Sequence, residues 1–203
     1  MRRSAIFVTA LALGLVLGAL LIGALRLSDL FGRGPDPETV AASSLQSVRA
    51  QSRLVPFAAR FVAVVTASQT RLGLKAQKTL IMPGLVRYEV DLARMSDRDL
   101  DWDGDRKILT VTLPPLEISG PEINLNEIRE YSGGGILMAL TDAENALDSA
   151  NRQRGQQELI RQARETLPMQ LARDAAVRSI ERSFAMPMKA AGIDAQVVAR
   201  FRS

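Results

Sequence analysis

The sequence predicts an α+β fold: an N-terminal transmembrane helix, then an antiparallel β-meander packed with an N-terminal helix and a long C-terminal helix, and a closing strand at the C-terminus. Three observations predict it. Ala5 to Leu25 is an unbroken apolar run between Arg2-Arg3 and Arg26. Short segments between Phe57 and Leu113 alternate apolar and polar residues, the period of half-buried strands. Residues 141–188 carry apolar residues at helical spacing.

The apolar run contains no charge, and at about 1.5 Å rise per residue it reaches roughly 31 Å, the thickness of a bilayer's hydrocarbon core. A cleaved export signal has a shorter apolar region of about 7 to 15 residues and a small-x-small site. Ile22 and Ala24 offer only a weak one, so an uncleaved anchor is expected. Arg2 and Arg3 precede the run, Arg26 and Arg33 follow it. A short basic tail before a single span stays cytoplasmic, which places the rest of the chain on the extracytoplasmic side. Gly14 and Gly18 have the GxxxG spacing of close-packed anchors, a pattern common by chance in such segments. Residues 1–33 therefore read as anchor and flank, 34–39 as a spacer, and 40–203 as a single α+β domain, since about 170 residues suit one core.

Asp36-Pro37 suits a helix start, and Val40, Ala41, Leu45 and Val48 give that helix one apolar side to about Leu54. Phe57, Ala59, Phe61, Ala63 and Val65 alternate, as do Leu72, Leu74 and Ala76, with Ser68-Gln69 as their tight connection. Pro83-Gly84 punctuates the chain before a clear strand carrying Val86, Tyr88, Val90 and Leu92 on one face. Leu100 and Trp102 lead to Asp103-Gly104, a hairpin turn that tolerates positive φ, and Ile108 to Leu113 returns. Pro114-Pro115 ends that ladder, Leu116 to Leu125 is extended across Gly120-Pro121, and Gly133 to Gly135 is a flexible connection. Thr141 and Glu144 fit a capping box opening a long helix to about Met188, irregular at Gly155 and Pro168. Ala163, Leu167 and Leu171 form one stripe, Val177, Ile180 and Phe184 another, both expected on the sheet. Gly192 ends the helix, and Val197, Ala199 and Phe201 form the last strand.

The chain has a net charge of +4, no Cys and no His. Arg2, Arg3, Arg26 and Arg33, opposed only by Asp29, hold most of that charge, so the domain is near neutral and nucleic acid is not an expected partner. Without Cys or His the chain has no disulfide, thiolate, imidazole base or His-ligated zinc; carboxylates, Lys, Tyr and hydroxyls are the remaining chemical groups.

Asp99-x-Asp101-x-Asp103-Gly104 matches the opening of a calcium loop, but the twelfth position is Thr110 rather than Glu and a strand follows, so an acidic hairpin explains the residues better. Arg152, Arg154, Arg161, Arg164, Arg173, Arg178 and Arg182 line the long helix and could meet lipid headgroups or an acidic partner. Interleaved acids dilute that field: Glu158 with Arg161, Arg161 with Glu165 and Asp174 with Arg178 fall at helical pair spacings. The triple glycine lacks the spacing and the Lys of a phosphate loop. Glu89, Asp91, Glu117 and Glu122 are the carboxylates available for acid/base work, with nothing in the sequence to bring two of them together. No residue is singled out as catalytic, cofactor-binding or metal-ligating.

Lys78-Thr79-Leu80-Ile81-Met82-Pro83-Gly84 leading into Val86 to Leu92, then Asp103-Gly104, Ile108 to Leu113 and Pro114-Pro115-Leu116-Glu117-Ile118, resemble the family catalogued as domain of unknown function 4230 over roughly residues 40 to 203. The resemblance implies an architecture and a membrane-linked location, and it brings no active-site residues. The expectation is a membrane-tethered, extracytoplasmic binding or scaffold domain of the bacterial cell envelope, single-pass in the cytoplasmic membrane through residues 5–25, with an envelope protein or a lipid as partner and no cofactor. A carboxylate-dependent envelope hydrolase and a lipid-binding module, with sheet and long helix enclosing an apolar groove, are the alternatives.

Overall fold

The structure, a computed structural model, describes residues 34–71, 73–133, 137–138 and 142–202. Helix α1 (Pro37–Ala50) starts behind Asp36, whose carboxylate accepts the Thr39 amide at 3.1 Å and the Thr39 hydroxyl at 2.7 Å. Ala41, Leu45 and Val48 are buried on the side their spacing predicts. The helix stops at Ala50 rather than Leu54 because Ser52 turns to φ 60° and Arg53 begins a strand.

That strand, β1 (Arg53–Arg71), and β2 (Leu74–Asp91) form one antiparallel hairpin with arms of 19 and 18 residues. Ser68-Gln69 is not its turn: Ser68 lies opposite Gln77 and Gln69 opposite Ala76. The chain reverses at Gly73, whose φ of +77° other residues rarely adopt. Pro83-Gly84 does not interrupt β2 either. The Val62 carbonyl opposite Pro83 accepts from Gln162 Nε2 at 3.2 Å and so points away from β2. Pro83 therefore turns its nitrogen to the other side, between the last pairing of β6 (Arg129–Gly133) at Ile81 and the first pairing of β5 (Leu116–Ile123) at Gly84. No ladder N–H is needed in that gap. Strand β6 has no apolar alternation and all its residues are exposed, which is why the sequence pattern does not announce it.

The predicted single meander is two sheets. The first has the order β1-β2-β5, with β6 beside β5 on β2. The second pairs β3 (Leu100–Asp103) with β4 (Ile108–Leu113) antiparallel and β4 with β7 (Gln196–Phe201) parallel. The Asp103-Gly104 hairpin is present, but Lys107 takes the positive φ, 55°, while the Asp103 carboxylate accepts the Asp105 and Arg106 amides.

The predicted long helix is also two: α2 (Ala143–Ala163) and α3 (Thr166–Ala190). Thr141, and with it the expected capping box, lies outside the described residues; α2 has Asp142 at its N-cap, and Glu144 comes within 3.9 Å of Lys78. The break is at Arg164-Glu165, ahead of Pro168, and the buried Tyr88 hydroxyl donates to the Ala163 carbonyl at 2.8 Å, meeting one of the carbonyls a helix end leaves without a partner. Breaking there redirects the stripes: Ala172, Ala176, Ile180, Phe184 and Met188 are buried, whereas Leu167 is 66% exposed and Leu171 44%. Gly155 does not bend α2; it lets the helix approach the sheet so closely that a Cβ there would lie 2.2 Å from Met82 Cε.

The largest core joins α1, α3, the second sheet and the end of β2 around Leu45, Val90, Leu109, Val111, Ile180 and Phe184. Smaller clusters continue along the hairpin beneath α2, through Ala63, Leu80, Met82 and Leu159 and then Ala67, Ala76 and Leu147.

The expected transmembrane helix, with the membrane as partner and the single-pass extracytoplasmic location drawn from it, is corrected. Among the described residues no helix is long and apolar enough to cross a membrane. The physical reason is amphipathicity: α2 and α3 bury one stripe each and carry charge elsewhere. The run Ala5 to Leu25 lies outside the described residues.

Candidate functional site

The hairpin sheet has two faces set by the alternation of its strands. The inner face, with Phe57, Ala59, Ala63, Leu80, Met82, Val86 and Tyr88, packs on the helices. Among the described residues no helix lies over the outer face. Its middle is apolar: Val62 is 48% exposed, Val64 62% and, on β6 opposite Thr79, Tyr131 58%, with Ile81, Pro83 and Leu85 half-buried beside them. Toward the hairpin tip the same face becomes hydroxyl-rich, with Thr66 and Thr79 hydrogen-bonded through their hydroxyls at 2.9 Å and Lys75 beyond. A shallow depression of about 460 Å³ lies there, lined by Lys75, Gln77, Thr79, Tyr131, Ser132 and Gly133.

At the other end the face becomes an ion-pair ladder. Arg53 meets Glu89 at 2.8 Å and Glu117 at 3.5 Å; Arg87 meets Glu89 at 3.6 Å and Glu122 at 2.5 Å; Arg94 meets Asp91 at 3.3 Å and Glu117 at 3.1 Å. All four carboxylates available for acid/base chemistry are here, brought together by the register that sets Glu89 opposite Glu117. Each has a guanidinium partner, Glu89 is buried beneath its arginines while Asp91, Glu117 and Glu122 keep more solvent, and the assembly lies on a sheet face rather than in a concave cleft. Acid/base hydrolysis needs a carboxyl pair in a water-excluding pocket with separated proton affinities, so this geometry does not supply the hydrolase alternative.

The lipid-module alternative fails on packing. Helix α2 lies directly on the inner face, and a Cβ on Gly84 would lie 2.7 Å from Leu159 Cδ1, so the sheet and helix enclose no groove where they meet.

A further charged cluster centres on a buried lysine. The Lys78 side chain, 6% exposed, sits between β6 and α2, bonded to Glu130 at 2.9 Å and to Asp148. Burial alone would lower its amine; the hydrogen bonds it donates to Asp148 and Glu130 outweigh that and hold it above the ordinary lysine value. Asn151 donates to the Lys78 carbonyl at 2.8 Å. These contacts clamp β6 and α2 to β2, and nothing in the local sequence pattern marks Lys78 as inward-facing except its even position in β2 alongside Ala76 and Leu80.

Of the acidic hairpin, Asp99 is buried and accepts from Ser96 N at 2.9 Å and from Arg202 at 2.5 Å, tying the C-terminal end to the turn before β3. Burial pushes its carboxyl up, and the Ser96 and Arg202 hydrogen bonds more than reverse this, leaving it below the usual range. Asp103 caps its own turn. Among the described residues no group of acids is placed to hold a metal ion.

The helix arginines divide. Arg161 bridges Glu158 at 2.6 Å and Glu165 at 3.0 Å, pulling Glu158 down to about 2. Arg154 donates to the Thr66 carbonyl, and Arg173 stacks over the Phe201 ring at 5.7 Å. Asp174 and Arg178 form no ion pair, although their spacing suggested one. The row is thus a set of local contacts rather than one cationic face.

A family model described as a protein of unknown function, DUF4230, matches residues 46–198. No curated protein and no solved structure matches the chain.

Proposed function

The chain belongs to the DUF4230 family, and we propose that it acts as a protein-binding domain whose recognition element is the outer face of its long hairpin sheet. One observation carries the proposal: an apolar patch of exposed Val62, Val64 and Tyr131 with half-buried Ile81 and Leu85, not covered by any described helix, lies in the middle of the sheet, with hydroxyls at one end and ion pairs at the other. An apolar centre with a polar rim is the anatomy of a protein interface, and exposed patches of this kind mark interaction sites.

The test is photo-cross-linking of the full chain in cells, with p-benzoylphenylalanine placed at Val64 or at Met186, which is 72% exposed on α3. The sheet position gives a discrete adduct that disappears when Ile81→Glu is added, while the helix position gives none. Equal or absent adducts at the two positions would refute the role.

A further inference from the structure

Resting on the binding role just proposed, we infer that the outer sheet face is covered by a second copy of this chain, packed face to face about a two-fold axis crossing the hairpin at Ala63 and Met82. The area fits. Two hairpin arms of about 18 residues and, beside them, the 8 residues of β5 and 5 of β6, at about 3.3 Å per residue and about 4.8 Å per strand, give a face of roughly 780 Å². A stable interface of standard size uses about 800 Å² on each partner.

The pattern along the strands fits as well. Ala63 pairs with Met82 near the midpoint of both hairpin arms, so a two-fold there brings the apolar band of one copy onto that of the other. Val62 then faces the second copy's Val64, and Ile81 faces its Pro83. The ends exchange. Lys75, which has no ion-pair partner among the described residues, comes over the second copy's Glu117, which is 34% exposed beside the buried Glu89. Those acids belong to a ladder in which Arg53, Arg87 and Arg94 are outnumbered by Glu89, Asp91, Glu117 and Glu122, so a cation meets a net negative end. A two-fold interface requires this self-complementarity.

Association through the free edge of β1 is the competing geometry, and α2 obstructs it. Gln162 and Arg154 lie across that edge and occupy the outward carbonyls of Val62 and Thr66, at 3.2 and 3.3 Å. The helices cover the inner face, which leaves the outer face for sheet-on-sheet packing about 10 Å apart.

The absence of Cys makes the test clean. Full-length chains carrying Val64→Cys, Val62→Cys or Met186→Cys are treated in cells with a short bis-maleimide. Either valine variant gives a band at twice the chain mass, about ten-fold stronger than Met186→Cys, because residues facing one another in a complex react at millimolar effective concentration. Chains with Lys75→Cys and Glu117→Cys cross-link when co-expressed and far less when each is alone. Dimer bands equal for valine and Met186 variants would overturn the two-fold. Adducts of another mass at Val62 and Val64 would overturn the second copy and leave the binding role standing. Free maleimide labelling with no adduct at either valine would overturn both.

Discussion

Replacing Tyr88 by Phe isolates one hydrogen bond that holds the two C-terminal helices at their observed angle. The ring is fully buried and packs on Phe57 at 5.5 Å between centroids, and phenylalanine keeps that contact. What is lost is the 2.8 Å bond from the hydroxyl to the Ala163 carbonyl. Ala163 is itself fully buried at the last position of α2, so the carbonyl gains no water in exchange. The bond is worth about 1 kcal/mol net, and an orphaned buried acceptor costs about 1–3 kcal/mol, so the substitution destabilises by about 2 kcal/mol. For a chain of this size that lowers Tm by about 4–8 °C. Calorimetry or thermal circular dichroism reads it directly. Burial also pushes the Tyr88 hydroxyl above its ordinary value. The native chain therefore loses stability as pH rises past the unfolded tyrosine value of about 10 and on through the folded one, and Tyr88→Phe loses less over that window. A variant that melts within 1 °C of the native chain, by this scale under about 0.5 kcal/mol, would refute the role given to this bond.

Three further perturbations test the packing around the sheet. Lys78→Met leaves Asp148 and Glu130 without their cation; those acids keep some solvent, so the expected loss is about 2–3 kcal/mol, below the roughly 3–5 kcal/mol of a fully buried broken pair, read by urea denaturation. Because the Lys78 amine is held above its ordinary value, the native pair's contribution is complete below the unfolded lysine value of about 10.4 and is lost as pH rises through the folded one, a slope the variant lacks. Asp99→Asn removes a depressed carboxyl whose contribution is present above the unfolded value of about 3.9 and lost as pH falls through the folded one, so its acid-unfolding curve flattens and neutral stability drops by about 2 kcal/mol. Gly155→Val pushes its methyl groups against the tip of Met82, which is flexible but fully buried and must shift, and costs about 1–3 kcal/mol by the same denaturation, against a modest gain in helix propensity.

Periodicity made α1, the end of β2, the β3–β4 hairpin and β7 legible, because each buries one side of a regular element. It misled where a polar or cyclic residue sits inside regular structure for a tertiary reason. Ser68-Gln69 looks like a turn, yet both simply occupy the thin outer end of a strand whose reversal waits for Gly73. Pro83 looks like a breaker, yet the gap between β5 and β6 removes its only conflict. The division into two sheets depends on β7 returning parallel to β4 from far along the chain, which no local pattern encodes. The outer sheet face was half-visible: Val86, Tyr88, Val90 and Leu92 on one side leave Arg87, Glu89 and Asp91 as an outward row, but Val62 and Val64, interleaved with Ala63 and Val65, show no polar side to mark them as outward, since an apolar strand face says nothing of whether a helix covers it.

The central claim is that this uncovered face is occupied when the protein works. Its most direct measurement is the rate of maleimide labelling at Val64→Cys relative to Met186→Cys, compared between intact cells and the purified, diluted full chain. Both sites are exposed in the isolated fold, so the rates are similar after dilution. In cells Val64→Cys is protected at least about ten-fold while Met186→Cys is not, as burial in a packed interface core requires. Equal labelling of the two sites in cells would contradict the claim.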